Sequence, residues 1–162
     1  MKSDRFLLAL LIGIAALVLA ALSLFFTRQS RQAYGPQDTP QGVVRNYVLA
    51  LEKRDYERAY SLLSEGEGKP DFERFRRDFL ARRVDPSNAA LLIQGDWQSG
   101  DQTGVDLVLI FAGGGPFGDS YRQPDQALLT RDPAGEWKLT RMPYPFWGYD
   151  WYTQNLPKPP SP

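Results

Sequence analysis

The stretch Thr39-Pro40-Gln41-Gly42-Val43-Val44-Arg45-Asn46-Tyr47-Val48-Leu49-Ala50-Leu51-Glu52-Lys53-Arg54-Asp55-Tyr56-Glu57-Arg58-Ala59-Tyr60-Ser61-Leu62-Leu63-Ser64 contains two helices and their punctuation. Thr39 is a good N-cap, and Pro40 sits at the first helical position, where its missing N–H costs nothing. Val44, Tyr47, Val48 and Leu51 recur at i, i+3, i+4 and i+7, which defines one buried face of a helix running to about Lys53. Asp55 caps a second, shorter helix in which Tyr56, Ala59, Tyr60 and Leu63 repeat that spacing. Ser64-Glu65-Gly66-Glu67-Gly68 then ends it.

Downstream, Asp71 opens a third helical segment with Phe72, Phe75, Phe79 and Leu80 inward. Its other side carries Arg74, Arg76, Arg77, Arg82 and Arg83, interleaved with Glu73, Asp78 and Asp85, the pattern of a solvated face with local ion pairs. From Asn88 the period becomes strand-like. Ala89 to Trp97 is largely apolar and Ser99-Gly100-Asp101 turns the chain. Val105, Leu107, Leu109 and Phe111 alternate with Asp106, Val108 and Ile110, as in a central strand with one wholly buried face. The glycine-rich 113–118 connection lacks the Lys-Ser/Thr ending of a phosphate-binding loop. A third strand spans about Ser120 to Arg131, with Pro124 pointing to a bulge or edge position. Asp132-Pro133-Ala134-Gly135 turns into a fourth strand, Glu136 to Met142. Helices followed by strands predict an α+β domain with three helices packed on a curved antiparallel sheet.

Upstream, Phe6 to Phe26 holds 21 residues without a charge, 14 of them Leu, Ile, Val or Phe. A helix of that length rises about 31 Å, the thickness of a bilayer core. It reads as a single transmembrane anchor, and is longer than the apolar core of a cleaved signal peptide. Lys2 and Arg5 balance Arg28 and Arg31, and the terminal amine tips the N-terminus to the cytoplasmic side. The expected order is a cytoplasmic 1–5, the anchor 6–26, a linker 27–38, an extracytoplasmic domain 39–152 and a Pro-rich extended tail 153–162. Ala9, Gly13, Ala16, Ala20 and Ser23, spaced 4, 3, 4 and 3, form a small-residue stripe for docking a second membrane helix.

Composition excludes much chemistry. The 162 residues balance 19 Lys plus Arg against 19 Asp plus Glu, which gives no electrostatic basis for nucleic-acid binding. The chain has no Cys and no His, removing thiolate nucleophiles, the commonest general base and the usual metal ligands, so no cofactor and no metal are expected.

The Thr39–Ser64 pair resembles the opening helices of the nuclear transport factor 2-like superfamily, whose bacterial members lead a capped Pro into a Val-Val-x-x-Tyr helix and then an Ala-Tyr-x-Leu-Leu-Ser helix. Asp132-Pro133-Ala134-Gly135-Glu136-Trp137-Lys138-Leu139 is similar to their penultimate hairpin, where a Trp enters the core. The resemblance implies a cone whose sheet curls around an apolar cavity. Tyr47, Tyr60, Trp97, Asp106 and Tyr121 are the polar-tipped candidates to line it. Ketosteroid isomerase and scytalone dehydratase, enzymatic relatives, place Asp, Tyr or His there; Asp106 with a Tyr donor is the pair this chain offers.

Tyr144, Phe146, Trp147, Tyr149, Trp151 and Tyr152 put six aromatics into nine residues. Such rings close a domain's own core, contact another protein, or stack on sugars or a membrane surface. The functional expectation is a non-catalytic, membrane-anchored binding domain, an accessory or scaffolding subunit of a complex with an integral membrane protein, touching the bilayer and its partner through the stripe and these aromatics. A small-molecule enzyme or carrier using the cavity, and a cell-wall or glycan-binding module, are the alternatives.

Overall fold

The computed structural model describes residues 10–23, 33–100, 102–113 and 119–152. The chain divides into two compact units, Met1–Tyr34 and Gly35–Pro162.

In the first unit residues 10–23 form helix α1. Those 14 residues rise about 21 Å, short of the ~30 Å of a bilayer core. Among the described residues no helix is long and apolar enough to cross a membrane. The expected transmembrane anchor, and with it single-pass localisation and an extracytoplasmic domain, is therefore corrected. Residues 6–9, Ala9 of the stripe among them, and 24–26 of the expected span lie outside the described residues, as do the 114–118 connection and the 153–162 tail.

The second unit is α+β. Helix α2 (Pro40–Glu52) starts where its signals place it: Thr39 is the N-cap, its hydroxyl accepting the Gly42 N–H at 3.1 Å. Replacing Thr39 with Ala is expected to cost about 1 kcal/mol, read as a lower urea midpoint; an unmoved midpoint would show that the cap contributes nothing. Asp55 and Asp71 cap α3 (Tyr56–Ser61) and α4 (Phe72–Leu80) through the Arg58 and Arg74 amides. Buried Asn46 donates to the Gly35 carbonyl at 2.8 Å and accepts the Gly35 N–H at 2.9 Å, tying the entry of the unit to α2.

Four antiparallel strands, β1 (Ala89–Ser99), β2 (Gln102–Phe111), β3 (Tyr121–Arg131) and β4 (Trp137–Arg141), pair in sequence order. Val105, Leu107 and Leu109 of β2 are buried with Ala127 and Leu129 of β3 and Leu139 of β4, while Val43, Val44 and Tyr47 supply the buried side of α2. Pro124 pairs with Val108, in the part of β3 beyond its pairing with β4, where the missing N–H deprives no second neighbour. The free edge of β4 is closed by the segment after α3: Leu139 N–H donates to the Leu62 carbonyl and Ser64 N–H to the Leu139 carbonyl, both at 2.8 Å.

One register shift changes the sheet's faces. Ile93 pairs with Leu107 but Gly95 pairs with Asp106, leaving Gln94 as a bulge. Strict alternation would place Trp97 on the same face as Leu91 and Ile93. The extra residue turns it to the opposite face, across from Gly104, and turns Asp96 toward α2, where it accepts from Gln41 Nε2 at 2.6 Å. Gly104 is required there: a Cβ would lie 2.2 Å from the Trp97 ring.

Candidate functional site

The segment after β4 folds back as a clasp. Phe146, Trp147, Trp151 and Tyr152 are buried, and Tyr144 and Tyr149 are not. The inward rings form one continuous aromatic cluster. Trp151 packs on Phe75 at 5.1 Å, on Phe79 at 5.9 Å and on Trp147 at 5.3 Å, and Trp147 stacks on Tyr152 at 5.6 Å. Gly148 permits the tight turn beneath it, since a Cβ would stand 2.4 Å from Trp151 Nε1.

Polar tips inside the clasp are satisfied. Trp151 Nε1 donates to Asp78 Oδ2 at 3.2 Å, and Tyr47 Oη donates to the Phe146 carbonyl at 2.8 Å. Tyr152 donates its hydroxyl to the Ser64 carbonyl and its N–H to the Gly68 carbonyl. Asp150 pairs with Arg74 at the rim. Burial, with the nearby Tyr152 adding to it, raises the Tyr47 phenol well above its usual range. Burial also raises Tyr152, with Glu65 and Tyr60 adding to it. These phenols are donors held neutral, not bases.

The two outward rings lie over each other. Tyr144 is 44% exposed and Tyr149 77%; they stack at 4.7 Å with an 18° interplanar angle. Beside them lies a depression of about 290 Å³ whose walls include Asp125, Arg141, Met142 and Trp147. The Tyr144–Pro145 peptide is cis.

The five expected cavity residues do not come together in one place; only Trp97 and Asp106 touch. Tyr47 is in the core, bonded to the clasp. Tyr60 donates to the Pro70 carbonyl at 2.9 Å and packs edge-on to Phe72 and Phe75. Its phenol is raised by burial, Glu65 and Asp71. Trp97 and Asp106 share the sheet face turned away from the core, where Trp97 Nε1 donates to Asp106 Oδ1 at 3.2 Å. Tyr121 is exposed and stacks on Phe111 at 4.7 Å. None of the five lines any of four grooves on the described residues. The Asp106 carboxylate thus has an indole partner rather than a phenol, and the bulge at Gln94 is the reason Trp97 stands beside it.

Of the stripe, Gly13, Ala16, Ala20 and Ser23 are exposed on α1, and Ser23 Oγ donates to the Leu19 carbonyl at 2.8 Å. Among the described residues no group of three or more His, Cys, Asp or Glu could hold a metal ion. Trp147 and Trp151, the rings a sugar-stacking site would use, face inward at 6% and 3% exposure.

Comparison with known proteins places little around this geometry. No family model matches the chain. No curated protein matches it either. Among solved structures it is similar to RPA3114, a SEC-C motif containing protein from Rhodopseudomonas palustris, at 16% identity and a TM-score of 0.46, over 66% of this chain and 79% of that one. That likeness carries no inference about activity. The expected membership of the nuclear transport factor 2-like superfamily is corrected by these results. The motifs behind it, a Pro at the first helical position, an Asp N-cap and an Asp-Pro-x-Gly turn, are local solutions available to any α+β domain. Trp137, expected in the core, is half-buried under the Arg131 guanidinium, 4.2 Å from the ring centroid.

Proposed function

We propose that this protein is a non-catalytic binding domain that acts by contact with a partner protein, as an accessory or scaffolding subunit of a complex. The observation that carries the reading is the exposed Tyr144–Tyr149 stack, mounted on a clasp whose other aromatics are locked in the core. Tyrosine offers broad contact area at low entropic cost, and a ring fixed by its neighbour loses still less on binding. Asp125 and Arg141 at the adjoining depression supply charges of both signs, suited to a mixed polar and apolar surface.

Affinity purification of the full-length chain tests this. A stoichiometric protein partner is expected, with its affinity falling about tenfold on Tyr144→Ser with Tyr149→Ser. The folding midpoint should hold, because both rings are on the surface. Purification without a partner, or a partner retained undiminished by the double variant, would remove this reading.

A further inference from the structure

A second groove lies away from the tyrosine stack, at the C-terminal ends of α2 and α4, and nothing in the preceding reading uses it. It encloses about 400 Å³, within the range of small-molecule sites. Val48, Leu51, Phe79, Val84 and Phe146 give it an apolar floor, and Arg54 and Arg82 stand at its rim with Glu52 and Asp85.

The backbone singles out the two arginines. Three non-glycine residues among those described have positive φ: Arg54 at 57°, Arg82 at 54° and Tyr152 at 58°. The two arginines follow the last turns of α2 and α4, where the left-handed conformation is normally given to Gly because a Cβ is disfavoured. Their amides cap the helices in the usual way, Arg54 N–H to the Leu51 carbonyl at 3.0 Å and Arg82 N–H to the Phe79 carbonyl at 3.1 Å. A glycine would make those bonds equally well. For Tyr152 the strained position delivers a hydroxyl to Ser64; for the arginines it places two cationic residues on the lining of one groove.

The acids on the rim are unequal. Asp85 Oδ1 accepts the Ser87 N–H at 3.1 Å and its Oδ2 faces Arg82 Nε at 3.9 Å, so both of its oxygens are engaged. Arg54 has no carboxylate within salt-bridge distance among the described residues. An anionic head with an apolar body satisfies both the unpaired guanidinium and the floor.

We propose that this groove binds a small apolar carboxylate, its hydrocarbon body against Leu51, Phe79, Val84 and Phe146 and its head group taken by Arg54 and Arg82. Glu52 shares the rim and opposes the ligand charge, which sets a modest affinity and provides a signed control.

The probe is naphthalene-2-carboxylate, with 2-naphthamide as the uncharged molecule of the same shape, titrated into the full-length protein and followed by methyl NMR. Saturable shifts are expected at Val48, Leu51 and Val84, with the carboxylate bound at least fivefold more tightly than the amide. In the Arg54→Gly, Arg82→Gly variant that preference should vanish while the melting temperature is kept or raised, because glycine suits both positions. Glu52→Gln should widen the preference. Absence of saturation at those methyls, equal binding of the two probes, or a preference that survives in the double variant overturns the proposal.

Discussion

Trp151→Ala is expected to lower the stability of the unit beginning at Gly35 by about 3–5 kcal/mol, the range for removing a large buried ring. The indole is the hub where clasp meets α4, in contact with Phe75, Phe79 and Trp147. Its removal empties the space between them and leaves the buried Asp78 carboxylate with Arg83, 3.5 Å away and itself mostly exposed. A buried charge deprived of a donor adds its own penalty. Urea unfolding measures the loss. Trp151→Phe separates the two contributions in part, since it keeps a six-membered ring in the space while removing the N–H and the rest of the indole. A loss under about 1 kcal/mol for the alanine variant would mean that the clasp is an appendage and not part of the core.

Tyr47→Phe is expected to cost about 1–3 kcal/mol near neutral pH, by stranding the Phe146 carbonyl that the phenol satisfies. The same variant has a pH signature. The folded-state pKa of Tyr47 is raised above its ordinary value of 10.0, so folding favours the protonated phenol. Its contribution is fully present below pH 10 and is lost as pH rises from there through the folded-state value. Each such group steepens the alkaline fall by up to about 1.4 kcal/mol per pH unit. The wild-type urea midpoint should therefore drop more steeply than that of Tyr47→Phe between pH 10 and 11, with Tyr152 and Tyr60 contributing to the fall in both. Parallel curves would show that Tyr47 ionises as freely folded as unfolded.

The local grammar of this fold was legible because it is written in residues with one strong preference. Thr39, Asp55 and Asp71 cap the three helices where their side chains predict, and Asp132-Pro133-Ala134-Gly135 turns where expected, with Asp132 Oδ1 accepting the Ala134 and Glu136 amides. The site was less legible, for identifiable reasons. Gln94 gives no sign of bulging, yet its insertion decides which side of the sheet carries Trp97. Within 144–152 six of nine residues are aromatic, and no helical or strand period says which rings point inward. That depends on Phe75, Phe79 and Asp78, some 70 residues earlier in sequence. Arg54 and Arg82 look like ordinary charges at helix ends, and only their positive φ sets them apart. For 6–26 the compositional signal predicts a membrane-spanning helix, whereas among the described residues no helix is long and apolar enough to cross a membrane.

The lock between Tyr47 and Phe146 spans 99 residues, and the seal of Leu62 and Ser64 on Leu139 closes a second long-range loop. Helices α2, α3 and α4 therefore leave a ribosome well before the strand and clasp that cover their apolar faces. Until the chain is complete to about Tyr152, those faces have only one another or a chaperone to rest against. A polypeptide cut short before Gly148 forfeits the closing piece of a core begun about a hundred residues earlier.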